Sequence, residues 1–247
     1  LDHKPSRSSR KKSQLTIAWA ILLMMVSGSL HWLTQYEELI TTSIGEQYQI
    51  VLQNGTIIDV NTGTVLRMEL LGLTRKIIIE QGEASFKVKN EPFRSFVVHS
   101  GNGTLRDIGT EFNVVRRGDR TTVAVLEGSV EVKLNNPAGA MKMLHGGQQL
   151  TYSSYDLSDI SAVDAESTVA WRKSRLIFRD TPLGEVIHQI NRYHLRPVRL
   201  GESQLNALKV SGEFNAADRA GLIQALKVLF PLQSIELDEG TVLLSER

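Results

Sequence analysis

Apolar and polar positions follow three different rhythms along this chain. From 15 to 33 there is almost no alternation, only a continuous apolar run. A helix rises 1.5 Å per residue, so the run would measure about 28 Å, close to the hydrocarbon thickness of a bilayer. Lys4, Arg7, Arg10, Lys11 and Lys12 precede it, and no comparable run follows. A short basic flank stays in the cytoplasm, which would put everything after Leu33 on the far side. Residues 15–26 also fit a signal-peptide core, with Ser27-Gly28-Ser29 as a place to cut, and His31 weakens the second half of a span. Against cleavage, Leu30, Trp32, Leu33 and Tyr36 continue the apolar and aromatic character, as interfacial anchors do. These residues alone leave both readings open and lean to the anchor.

From 42 to 152 the period falls near two. Short strands are expected at 48–52, 57–60, 65–70, 77–80, 84–88, 96–99, 104–108, 111–115, 122–126 and 129–134. Asn54-Gly55 is a hairpin signal, Asn61-Thr62-Gly63 turns again, and Gly101-Asn102-Gly103 reads as another hairpin turn. Residues 141–144 and 148–152 look like one further hairpin around Gly146-Gly147. This spacing predicts an all-β sandwich, barrel or solenoid without choosing among them. Residues 153–172 are polar, hold no sustained period and read as a linker.

The last third, 173–247, has a mixed rhythm. A strand at 175–178 leads to Asp180-Thr181-Pro182, a helix start with proline in its first position. Leu183, Val186, Ile187, Ile190 and Tyr193 then recur at three- and four-residue intervals, giving one apolar face. Strands are expected at 198–200 and 208–210. Asp218 caps a second helix with Leu222, Ile223, Leu226, Leu229 and Phe230 on its buried side, stopped by Pro231. A last hairpin spans 234–244. Two strand–helix–strand units in so short a stretch predict a small α+β domain.

Composition narrows the function classes. The net charge is +1 and the basic excess sits before the apolar run, so no nucleic-acid partner is expected. The chain has no cysteine, which removes disulfides, thiolate metal sites and cysteine nucleophiles. Its six histidines show no ligand spacing and no His-Glu-x-x-His string, so neither metal nor cofactor is expected. Asn54-Gly55-Thr56 and Asn102-Gly103-Thr104 match glycosylation acceptors but are better explained as turns. Glu83 and Glu127, each beside a glycine, read as solvated turn residues. No catalytic grouping stands out, and the chain is not expected to be an enzyme.

The external region resembles the FecR-like family of bacterial transmembrane signal transducers. The likeness is carried by Gly45-Glu46, Leu52, Asn54-Gly55-Thr56, Val60-Asn61 and Thr64, then by the string from Gly82-Glu83-Ala84 to Phe86 and Val88. Arg94-Ser95-Phe96-Val97-Val98 follows. The clearest string runs from Ile108-Gly109-Thr110-Glu111-Phe112-Asn113-Val114 to Val123, Val125, Glu127-Gly128 and Val130. Residues 176–244 are similar to the small secretin/TonB-type signalling fold that ends many members, including Arg192-Tyr193 after the first helix.

The resemblance implies a single-pass inner-membrane anti-sigma factor or sigma regulator. Its cytoplasmic tail would be 1–14, its transmembrane helix 15–33, its periplasmic all-β FecR-type domain 42–152, its linker 153–172 and its α+β domain 173–247. An outer-membrane, TonB-dependent siderophore transporter would touch the periplasmic part through its signalling domain. An extracytoplasmic-function sigma factor would be the cytoplasmic partner. A tail of about fourteen residues is too short to fold, so either more chain precedes Leu1 or that activity lies elsewhere. An envelope structural or cell-wall binding module without a sigma partner is the alternative. Some members self-cleave at the matching Gly-Thr, which makes Gly109-Thr110 the candidate bond. Its ordinary reading is a tight turn, with Thr110 entering the next strand and Phe112 in the core.

Overall fold

The structure is a computed structural model and describes residues 17, 19–27, 37–70, 74–107, 109–137, 139–237 and 240–246. Much of the predicted span lies outside these residues. The described part, 17 and 19–27, is helical with exposed apolar side chains. Among the described residues, no helix is long and apolar enough to cross a membrane.

Among the described residues, the β-rich part has twelve consecutive strands, from β1 to β12. They are β1 (Glu38–Thr41), β2 (Tyr48–Val51), β3 (Ile57–Val60), β4 (Val65–Glu69), β5 (Thr74–Lys87) and β6 (Ser95–Ser100). β7 (Gly103–Asp107), β8 (Glu111–Arg117), β9 (Arg120–Glu127), β10 (Ser129–Leu134), β11 (Met141–His145) and β12 (Gln148–Tyr152) follow. The alternation is visible in the burial, as in β6, where every second residue is buried.

Strand β5 organises the fold. Its first half pairs with β4 and β6, and its second half with β3 and β8. One layer therefore runs β1-β4-β5-β6-β7-β10-β11 and the other β2-β3-β5-β8-β9-β12. The inward faces enclose a single core in which Phe86 stacks on Phe112 at 5.0 Å and meets Phe96 edge-on at 5.7 Å. Two expectations need correction here. The strands expected at 77–80 and 84–88 are one strand that bends at Gly82, where φ is +93°. The hairpin expected around Gly146-Gly147 does not form: β11 pairs with β10 and β12 with β9, so this turn carries the chain between layers.

The segment read as a linker is partly ordered against both neighbours. β13 (Ser161–Ala162) pairs with β12, and α1 (Ala165–Val169) is capped by Asp164. A 3-10 turn, Ala170–Lys173, buries Trp171. Polar sequence hid this order, because capping and one buried ring leave no period to read.

The remainder holds β14 (Arg175–Pro182), α2 (Leu183–Asn191), β15 (Val198–Leu200), β16 (Lys209–Asn215), α3 (Arg219–Leu229), β17 (Leu232–Glu236) and β18 (Val242–Glu246). β14 pairs with β16, while β18 lies between β15 and β17. Helix α2 buries Leu183, Val186, Ile187 and Ile190, each contributing about 1.5–3 kcal/mol. Pro182 precedes this helix as its cap rather than opening it. Asp218 caps α3 by accepting from the Gly221 amide at 2.8 Å.

Candidate functional site

The chemistry-bearing residues gather where the outward face of the layer containing β8 meets the C-terminal unit. Glu83, on β5 just past its bend, is only 5% exposed, so it is not the solvated turn residue its glycine neighbour suggests. Its Oε1 accepts from Asn113 Nδ2 at 3.0 Å, and its Oε2 from Asn61 Nδ2 at 2.9 Å. Arg192, the first residue after α2, donates to the same Oε2 at 2.7 Å. Asn61 Nδ2 also donates to the Tyr193 hydroxyl at 2.9 Å. Glu127, by contrast, is exposed, as expected.

Backbone contacts tighten the joint. Thr62 Oγ1 donates to the Arg192 carbonyl at 3.0 Å, and Gln47 Nε2 donates to the Trp171 carbonyl at 2.9 Å. Arg172 donates to Glu111 at 2.8 Å and lies 3.7 Å from Asp59. Arg117 pairs with Glu185 on α2 at 3.1 Å. Burial works most strongly against the Arg192 charge, but Glu83, Tyr193 and Glu185 together outweigh it and hold the guanidinium above its ordinary range. Burial, reinforced by the same carboxylate, pushes the Tyr193 hydroxyl up to about 12, so it stays protonated. A buried, hydrogen-bonded ion pair of this kind fixes the relative placement of two units more than it adds stability.

Gly109-Thr110 lies away from this joint, in the connection from β7 to β8. Gly109 has φ +79°, a conformation glycine tolerates at little cost. Thr110 is buried, and its carbonyl accepts from the Val88 amide at 2.9 Å. Phe112, two residues on, is fully buried. Phe112 is in the core as expected, but Thr110 stops short of the next strand, which begins at Glu111. Asp107, which the sequence reading did not single out, accepts from the Gly109 amide at 3.0 Å and from the Thr110 hydroxyl. Gly128 packs against this bond: a methyl there would lie 2.6 Å from the Gly109 carbonyl oxygen.

Of the residues in the joint, the sequence marks Tyr193 as part of a helix's apolar face and Glu83 as a solvated turn residue, while Arg192 stands out only within the Arg192-Tyr193 pair. Asn61 and Asn113 stand out only as pieces of strings, and Trp171 was passed over. The one local signal was an apolar tyrosine face ending in arginine, where a helix should return to solvent.

Comparison with curated proteins finds no match. Two crystal structures share the fold, both of a candidate anti-sigma factor from Parabacteroides distasonis ATCC 8503, at 2.50 Å and 1.65 Å resolution. Their TM-scores are 0.71 and 0.72, each at 24% identity, covering 86% and 85% of this chain and 100% and 99% of theirs. The family model described as FecR protein matches residues 38–131, the stretch that supplies Asn61, Glu83, Asn113 and the Gly109-Thr110 turn. Over residues 38–131 this chain is therefore similar to the FecR family.

Proposed function

We propose that this chain is a single-pass inner-membrane regulator of an extracytoplasmic-function sigma factor. Its periplasmic part receives the state of an outer-membrane TonB-dependent transporter by direct contact. The observation that carries this reading is the FecR-like domain with a second unit fastened to it by a buried ion pair. Two units joined by polar contacts can shift relative to each other when a partner binds one of them, which a relay requires. The apolar run at 15–33 supports the anchor, and the basic flank supports a cytoplasmic amino terminus. The fold shared with the Parabacteroides protein agrees with a regulatory rather than an enzymatic role. In a pull-down, the full chain should be retained by the signalling domain of a TonB-dependent transporter. No retention at high micromolar concentration would count heavily against the relay.

A second reading attaches to Gly109-Thr110, favoured by the Asp107 contact to the attacking hydroxyl. Thr110 Oγ1 would add to the Gly109 carbonyl carbon, its proton passing by way of Asp107 to the departing amide nitrogen. The ester so formed is then hydrolysed, leaving a Gly109 carboxylate and a free Thr110 amine and hydroxyl. The purified chain should then appear in intact mass spectra as two fragments divided at this bond. Thr110→Ala should abolish them, and Asp107→Asn should slow their appearance by about 100-fold or more. A single intact species persisting for days removes the reading.

A further inference from the structure

A turn with an apolar tip stands at one end of the β layers. Glu91 to Arg94 form a tight turn, closed by the Arg94 amide donating to the Glu91 carbonyl at 3.1 Å. Pro92 and Phe93 are its central residues, and Phe93 is 89% exposed. A lone exposed ring needs no explanation by itself, but the place after proline in a turn ordinarily holds glycine, asparagine, aspartate or serine. The base of the turn is fixed. Buried Arg75 donates to the Lys89 carbonyl at 3.1 Å and to the Arg94 carbonyl at 3.0 Å, clasping both ends of the loop. Glu91 pairs with Arg94 at 3.4 Å and lies 3.7 Å from Arg75. Phe93 is therefore presented on a rigid mount.

Register decides what the tip faces. Glu38 lies opposite Met68, Met68 opposite Ile77, and Ile77 beside Val98, so these four share one row across the layer. Strands β1, β5 and β6 run in the same direction, so the chain enters β1 from the side on which β6 begins. β6 begins at Ser95, three residues before Val98, and the turn precedes it. At about 3.3 Å per residue, the turn stands about 10 Å beyond the row of Glu38 on that side. Leu33, which ends the apolar run, is five residues before Glu38, a stretch that spans at most about 18 Å. Along the strand axis the tip thus falls no more than about 8 Å short of Leu33. The headgroup layer outside a bilayer's hydrocarbon is itself about 5–7 Å deep.

We propose that the Pro92-Phe93 tip docks on the surface of the bilayer that holds residues 15–33, with the Phe93 ring in the headgroup region. Exposed Lys89, at the base of the same loop, suits the lipid phosphates. The contact gives the β layers a second point of attachment besides the anchor, and so fixes their tilt on the membrane. This inference rests on the anchor reading of 15–33 and not on which partner the chain serves.

The chain has no cysteine, so a single introduced one carries a nitroxide label alone. The full chain with Pro92→Cys, a turn position open to most residues, is reconstituted in vesicles of phosphatidylethanolamine and phosphatidylglycerol. Collisions of the label with oxygen, which concentrates in lipid, are compared with those of a water-soluble nickel chelate. Tyr155→Cys is the reference. Tyr155 is 95% exposed, and its neighbour Ser154 accepts through its carbonyl from Asn102, beyond the opposite end of β6. The oxygen-to-nickel ratio should be severalfold higher at residue 92 than at residue 155. Adding Phe93→Ser should erase that excess, and Phe93→Trp should keep it, because tryptophan favours the interface. The exposure of Phe93 leaves both variants able to fold. Equal ratios at the two sites in a chain that floats with the vesicles, or an excess that survives Phe93→Ser, would overturn the docking and leave the anchor standing. Equal ratios would assign Phe93 to a protein partner instead. A chain that does not float with the vesicles would overturn the anchor and the docking together.

Discussion

Glu83→Ala is expected to destabilise the chain by about 3–5 kcal/mol, because it leaves a buried guanidinium without its counter-charge. The contact from Thr62 to the Arg192 carbonyl holds the backbone at this point, and the guanidinium keeps only Gln189, at 3.3 Å, as a hydrogen-bond partner among the described residues. The same substitution removes the acceptor used by Asn61 and Asn113, two further buried amides. In urea unfolding followed by circular dichroism, the C-terminal unit should separate from the β layers as an earlier transition. The double change Glu83→Met with Arg192→Met should recover most of the loss, since well-packed apolar replacements of a buried pair are often neutral. If Glu83→Ala unfolds with the native midpoint and cooperativity, the pair does not hold the joint.

This expectation rests on contacts that local patterns carry only weakly. Helix α2 was legible because its apolar positions recur within one element, at spacings its own geometry dictates. The short strands were legible for the same reason. Register and layer were not: a period of two says that a strand exists, not which strand lies beside it. Gly146-Gly147 therefore looked like a hairpin, although its flanking strands belong to opposite layers. Glu83 was misread on similar grounds. Its partners Asn61, Asn113 and Arg192 lie 22, 30 and 109 residues away, so nothing near it in sequence announces burial. Trp171 sat in a polar stretch whose order comes from caps and one buried ring, features without a period. Asp107 was invisible because its role follows from the φ of Gly109, which brings its amide and the next hydroxyl onto one carboxylate.

Gly82→Ala should be nearly as damaging as losing Glu83, and for an independent reason. Gly82 sits at the bend where β5 leaves one layer for the other, and its φ of +93° is strained for any residue with a Cβ, by about 1–2 kcal/mol. A methyl group there would also fall 2.5 Å from Thr64 Cα and 2.7 Å from Thr64 Cβ. Thr64 cannot give way cheaply. It is fully buried, its amide donates to Thr42 Oγ1 at 2.9 Å, and its hydroxyl accepts from the Glu83 amide at 2.9 Å. Overpacking against such a fixed neighbour adds about 1–3 kcal/mol, for a combined loss of roughly 2–5 kcal/mol. The displacement would propagate one residue along the strand, straight into the joint. Gly82→Ala should therefore lower the urea midpoint and also loosen the C-terminal unit, read as faster proteolysis near residues 153–172. Gly63→Ala makes a suitable comparison, because its φ of +61° is likewise positive but nothing lies within 4 Å of the added methyl. Equal effects at the two glycines would mean that backbone strain alone accounts for the loss and that the contact with Thr64 is not what fixes the bend.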